Sequence, residues 1–429
     1  MKTKINCKMY FILSVCLAAI TVSCTSKKMQ SGEFTFMTRG DVYNRPYWES
    51  VARQYNKTNP VKKVKIFAPP AQYYDKLVVM AAGNNLCDLT LMAFTEFDLL
   101  AFKDQLLPLD DILKRDDFKT IIHHIMPSSI AQGKRRGIQY GMPIWAWTVN
   151  WYYNKSLLNK YGIGEPNANW NWTDFLQICK KITHRDNVMD RSFGLTGMTG
   201  SHSILHEIIL KQNDLSLFSQ DMQKCIINSP QHLKMYQFFF DMTRVHKITV
   251  TAAESESVTS GAGQGGAFGS GMVGFTTGGR EQADILTKAN LPFNWDIVKM
   301  PTDFKDVYVT ANTFVGISKH SLNKDGAVSF LKWLISEQGQ RLITLRRMDI
   351  AVYKPLTYSP EYENMLGMRR VNMLFRESIE KAVPADQSFP NIQEFREIQK
   401  INYELVNQGN LDAREALYRI AKAYDKLKN

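Results

Sequence analysis

The chain has 429 residues, of which 44% are hydrophobic and 11% aromatic, a length that usually divides into two domains and enough apolar material to fill both. Its formal net charge is +12, but the basic residues fall in short clusters such as Lys62-Lys63, Lys134-Arg135-Arg136 and Arg369-Arg370. No long basic run is interleaved with aromatics, so nucleic acid is not expected as a partner, and the absence of a fixed-period repeat argues against a solenoid or propeller.

Lys2, Lys4 and Lys8 precede an apolar run from Met9 to Ile20. At about a dozen residues it is too short for a span of ~20 and suits a signal-peptide core. Thr21-Val22-Ser23-Cys24 resembles the lipobox of bacterial lipoproteins, although that pattern prefers Leu where Thr21 stands. The resemblance implies a signal peptide over residues 1–23, lipidation of Cys24, a tether over 24–32 and an exported protein anchored outside the cytoplasm; ordinary secretion with cleavage nearby is the alternative. No later segment is apolar enough to cross a bilayer. Of the remaining cysteines, Cys87, Cys179 and Cys225 cannot all pair and form no Cys-x-x-Cys, so core packing is expected of them.

From Glu33 strand and helix patterns alternate. Phe34 to Met37 reads as a strand; Trp48, Val51, Ala52 and Tyr55 then recur at helical spacing. Val64 to Phe67 is the next strand, Tyr74, Leu77, Val78 and Ala81 an amphipathic helix, and Leu89 to Ala93 a third strand. This β-α-β-α-β order predicts an α/β fold with a mostly parallel sheet. Further helices are expected with Thr173 as cap, along Ala327, Phe330, Leu331 and Leu334, and from Asp412 through Leu417, Ile420, Ala421 and Tyr424.

Three motifs fail closer inspection. Gly261-Ala262-Gly263-Gln264-Gly265-Gly266 fits G-x-G-x-x-G but lacks the preceding strand that a dinucleotide site requires, and reads as a loop. His206-Glu207 begins like H-E-x-x-H, yet Leu210 replaces the second histidine; His123-His124 point about 100° apart on a helix. No metal, cofactor or catalytic residue is expected. A glycosidase would need two facing carboxylates, and no local signature singles out such a pair.

Several collinear landmarks carry a family likeness. They are Phe36-Met37-Thr38-Arg39-Gly40-Asp41, Tyr73-Tyr74-Asp75-Lys76-Leu77, Ala81-Ala82-Gly83, Cys87-Asp88-Leu89 and Leu106-Leu107-Pro108-Leu109-Asp110. They continue with Gly141-Met142-Pro143, Trp151-Tyr152-Tyr153-Asn154-Lys155, Trp172-Thr173-Asp174-Phe175, Ala267 to Met272, Gly278-Gly279-Arg280 and Val315 to Lys319. In this order the chain resembles the family 1 extracellular solute-binding proteins, the group that includes the maltose-binding protein. The resemblance implies a two-lobed periplasmic-binding-protein-like (type II) fold with the ligand between the lobes. Residues 33–144 with 313–345 would form lobe 1 and 149–308 with 350–429 lobe 2, with crossings near Pro143 to Thr148, Val309 to Thr313 and Leu345 to Ile350. It implies a monomer that captures a carbohydrate and passes it to the permease of an ABC transporter. A polyamine, a phosphoester or another small solute is the alternative ligand, a secreted glycosidase the alternative class, and a sensing role the alternative to transport.

Alternate residues of an extended segment share a face, so Trp145 and Trp147 in the first crossing can line one wall, where an indole supplies apolar contact to a sugar ring; packing of the hinge is the competing role. From the resemblance, Arg39 and Asp41 are placed at a strand end, Phe94, Thr95 and Glu96 after the third strand, Asn312 at the second crossing and His202 in lobe 2. Tyr73 and Tyr353 are further expected ligand contacts. Arg280 stands where the family often has a stacking tryptophan, and its guanidinium would suit an acidic sugar.

Overall fold

The computed structural model describes residues 32–41, 44–185, 190–196, 204–260, 265–347, 350–386 and 388–428; the expected signal peptide, Cys24, His202 and most of the glycine-rich run lie outside them. Strand β1 (Glu33–Met37) lies between β2 (Lys63–Phe67) and β3 (Leu89–Met92), parallel to both. The intervening helices are α1 (Asn44–Thr58) and α2 (Tyr73–Ala82), and α3 (Phe94–Phe102) follows β3. The buried face of α1 is Trp48, Val51, Ala52 and Tyr55, the expected stripe. On α2 the stripe starts one residue earlier, at Tyr73 with Leu77 and Ala81, because the Tyr73 hydroxyl donates to the Leu91 carbonyl of β3 and draws that ring inward.

After a hairpin of β4 (Lys134–Arg135) and β5 (Ile138–Gln139), β6 (Met142–Trp147) joins this sheet through β11 (Tyr308–Ile317), which runs antiparallel to both β6 and β3. The larger sheet has the order β12-β6-β11-β3-β1-β2, with β13 (Ala382–Pro384) beside the start of β11. The smaller sheet is β10 (Trp295–Val298), β7 (Asn150–Asn154), β9 (Val273–Gly278) and β8 (Phe193–Leu195) in that order. Every residue of β7 is buried, as befits a central strand covered on both faces.

The two sheets define two lobes, and the chain crosses between them at definable places. The first crossing lies between Trp147 and Asn150, where the Thr148 hydroxyl donates to the Val309 carbonyl at 2.9 Å. The second is β11 itself: the Tyr308 hydroxyl bonds Asn150 at 3.0 Å on the smaller-sheet side, while Phe314 to Ile317 pair with β3. At the third, β12 (Ile350–Ala351) still pairs with β6 in the larger sheet, so the chain leaves that sheet beyond Ala351.

Flanking helices include α4 (Ile204–Gln212), α5 (Arg280–Lys288), α6 (Lys324–Ile335), α7 (Arg369–Glu380), α8 (Ile392–Asn407) and α9 (Ala413–Leu427). Asp412 caps α9 by accepting from the Glu415 amide at 2.9 Å. The helix Trp172–Ile182 is capped by Asn171, not Thr173: Asn171 accepts from the Asp174 amide at 2.8 Å and Asp174 answers the Asn171 amide at 3.1 Å, a reciprocal box that leaves Thr173 inside the first turn. Cys87, Cys179 and Cys225 are unpaired and buried, and burial pushes the Cys87 thiol to about 11 and the Cys225 thiol to about 12. Among the described residues no helix is long and apolar enough to cross a membrane.

Candidate functional site

A cavity of about 570 Å³ opens where the lobes meet. Lobe 1 contributes α3 and the β4–β5 hairpin, lobe 2 contributes α4 and α8, and the crossing strands contribute Trp147, Thr310 and Ala311. A space walled by both lobes and floored by the segments that join them is the one place where a solute can touch every part that moves in a hinge closure.

Trp147 and Trp145 do share a face of β6, being paired across to Ala311 and Thr313, but they have different surroundings. Trp147 is half-buried, lines the cavity, and donates from Nε1 to the two Glu281 oxygens at 3.0 and 3.1 Å. The indole sits so close to Gly279 that a Cβ there would lie 2.0 Å from Nε1, which requires glycine at the start of α5. Trp145 is 5% exposed and stacks on Trp48 of α1, centroids 5.8 Å apart, so it packs the core of lobe 1 away from the cavity.

Arg280 also stands away from the cavity lining. It is 1% exposed, with Nε donating to Asn372 of α7 at 2.8 Å and Nη2 reaching the Met368 sulfur at 3.7 Å. Burial holds its pKa below the usual arginine range, and Tyr362 and Tyr152 work against that shift. Packed in this way it is a link between α5 and α7, and no face of it is open for stacking on a ring.

The strand-end residues of lobe 1 gather as a group. Arg39 pairs with Glu96 at 2.6 Å and lies 4.9 Å over the Tyr73 ring; the Thr95 hydroxyl donates to Glu96 at 3.2 Å. Asp41 accepts from the Asn44 amide at 2.9 Å at the start of α1. Of this end of the lobe, Phe94 is the residue that lines the cavity. Tyr353 lies apart, 5.4 Å from the His124 ring in the core of lobe 1. Asn312 is 3% exposed on β11, and neither polar atom of its side chain has a partner; Thr310, two residues earlier on the same strand face and lining the cavity, has an unpartnered buried hydroxyl.

The charged lining was not foreseen from sequence. Asp98 of α3 is fully buried; Arg135 of β4 donates to it from Nε at 2.6 Å, and the Ser388 hydroxyl donates from lobe 2. Burial raises the Asp98 pKa, and Arg135 and Ser388 pull it back. Asp386 is held by Lys211 and by the Leu217 amide at 2.6 Å. Glu207 of α4 has one carboxylate oxygen shut away without a partner, and desolvation raises its pKa against the pull of Arg396. Arg396 of α8 is 9% exposed and lies 3.9 Å over the Phe94 ring across the lobe boundary. A signal for Arg396 did exist: α8 buries Arg396, Gln399 and Asn402 on the same side as Phe395 and Tyr403, polar groups on an otherwise apolar stripe. Among the described residues there is no group of three or more His, Cys, Asp or Glu side chains placed to hold a metal ion.

Residues 42–341 match the family profile described as bacterial extracellular solute-binding protein. A binding protein of Brucella abortus is 31% identical over 160 residues, 36% of this chain and 37% of that protein. The arabinooligosaccharide-binding protein of Halalkalibacterium halodurans is 20% identical over 206 residues, 47% of this chain and 44% of that one, so the matched region spans less than half of either relative. Among solved structures, an ABC substrate-binding protein of Listeria monocytogenes in complex with cycloalternan superposes with a TM-score of 0.78 at 20% identity, covering 92% of this chain and 99% of that one. The sugar-binding protein of Xanthomonas citri gives 0.77 at 16%, covering 92% and 97%.

Proposed function

This chain belongs to the bacterial extracellular solute-binding proteins, and from that membership we propose that it captures a carbohydrate in the interlobe cavity and delivers it, chemically unchanged, to an ABC permease. The observation that carries the reading is the pairing of aromatic faces with unsatisfied polar groups in one space. Phe94 and Trp147 offer flat apolar surface, while Gln132 Nε2, Glu207 Oε2 and the Thr310 hydroxyl line the same cavity buried and unpartnered. A sugar ring has C–H faces edged by hydroxyls, so it can cover the first and satisfy the second; an unsatisfied buried polar group otherwise costs about 1–3 kcal/mol. The carbohydrates named for the Halalkalibacterium and Listeria proteins support the same class.

Two of the three acids that line the cavity are already engaged, Asp98 by Arg135 and Ser388 and Asp386 by Lys211 and the Leu217 amide, and Glu207 is the third. Closure is a population shift, since a solute touching both lobes favours the state in which they are together. The protein acts as a monomer held at the membrane through lipid on Cys24. A thermal-shift screen of the full chain against mono- and oligosaccharides tests the proposal, because a ligand of the folded state raises its stability by RT ln(1 + [L]/Kd). A stabilising sugar recovered intact after incubation is the expected result. Stabilisation by a polyamine or phosphoester alone, or release of sugar fragments, would overturn it.

A further inference from the structure

We infer that the carbohydrate taken by this cavity is anionic, and that Arg396 reads its acid group; the inference rests on the carbohydrate reading above and narrows it. The first support is a charge count. Asp98 with Arg135, and Asp386 with Lys211, are internally neutral pairs. What they leave is Arg396 within the cavity, Lys134 and Arg136 at its exposed edge, and one carboxylate, Glu207. Three cations therefore face one acid, and the acid is the group whose burial disfavours its charged form.

The second support is the state of Arg396 itself. At 9% exposure it has lost most of its hydration, yet among the described residues it makes no hydrogen bond and no ion pair. Its contact is the Phe94 ring at 3.9 Å, which covers one face of the guanidinium and leaves the donor edge as the part that can be bonded. A planar fork of N–H donors held by an aromatic plate matches the two oxygens of a carboxylate or the oxygens of a sulfate ester. The sugar hydroxyls would then meet Thr310 and Gln132, whose buried polar atoms are unpartnered. Arg136 lies 5.4 Å over Phe102, and it and Lys134 have no acidic partner within ion-pair distance among the described residues, so both raise the local concentration of an anion.

Titration calorimetry of the full chain with maltotriose, trigalacturonic acid and a sulfated disaccharide tests this. At least one acidic sugar should bind about 10-fold or more tighter than maltotriose, and the stronger of the two identifies carboxylate or sulfate as the group read. Arg396→Gln should weaken that sugar by roughly 10- to 150-fold, the range for a charged hydrogen bond, and the neutral one far less. Arg396→Lys keeps the charge without the fork and should recover only part of the loss, which guards against a folding defect in the first variant. Lys134→Gln should weaken the acidic sugar by a few-fold and flatten its salt dependence. Maltotriose binding as tightly as both acids, or an equal loss for all sugars in Arg396→Gln, overturns the anionic reading and leaves the carbohydrate reading standing. Binding of no sugar overturns both.

Discussion

Trp145 and Trp147 are two residues apart on one strand face, and the structure gives them separable jobs. Trp145 is 5% exposed and stacked on Trp48, so Trp145→Ala opens a cavity in the core of lobe 1 and should cost about 3–5 kcal/mol of stability. For a lobe of this size that is a fall in Tm of roughly 6–20 °C. Trp147 lines the cavity and is half-buried, so Trp147→Ala should leave Tm within a few degrees while removing ligand contact worth about 1–3 kcal/mol, a weakening of roughly 5- to 150-fold. Its bonds to Glu281 contribute to the small stability change, since a half-exposed carboxylate regains water when the indole goes. Scanning calorimetry without ligand and titration calorimetry with the sugar found by screening separate the two quantities. The reasoning fails if Trp145→Ala melts like the native protein but binds weakly, or if Trp147→Ala melts early and binds normally.

The anchor, the closure and one carboxylate network each have a direct test. Cys24→Ser should move the protein from the membrane to the soluble fraction, and a mature N-terminus found elsewhere by mass spectrometry would refute the anchor. Small-angle scattering should show a smaller radius of gyration at saturating ligand, since a solute that touches both lobes draws them together about the crossings at Trp147, β11 and β12; an unchanged profile would mean a rigid site. Burial raises the Glu254 pKa, but its bonds from the Thr251 amide and hydroxyl and its pairs with Arg185 and Arg191 outweigh that and hold it below the usual range. The folded state therefore binds that proton less readily than the unfolded one, and the stabilisation present above the ordinary glutamate pKa is lost as pH falls through the lowered value. Urea melts should show Glu254→Gln losing more stability at pH 7 than at pH 3, and an equal loss at both would refute the assignment.

Where one stretch of chain decides its own environment, the sequence was legible. The stripe Trp48, Val51, Ala52 and Tyr55 and the Asp412 cap depend on spacing within a single helix, and the parallel β-α-β-α-β start on the alternation of short apolar segments with helical ones; each is found. The cap of Trp172–Ile182 moved from Thr173 to Asn171 because two residues that can both cap are distinguished only by the reciprocal bond to Asp174.

The charged part of the site was not legible, because it is made by contacts across hundreds of residues. Arg280 and Arg396 look alike in sequence, each an arginine near the start of an amphipathic helix. What separates them is the neighbour brought by the fold. Arg280 meets Asn372 and Met368, which engage Nε and Nη2, and it is shut between α5 and α7 with Nη1 buried and unpartnered. Arg396 meets Phe94, a ring that occupies a face and uses no donor. A guanidinium shut between two helices and away from the cavity is a structural tie, while one whose edge lines the cavity is the group that, under the inference above, would read an anion. Position on a helix specifies neither: the polar interruption of the α8 stripe marks Arg396 as buried, but what its donor edge faces depends on Phe94, some three hundred residues away in the chain.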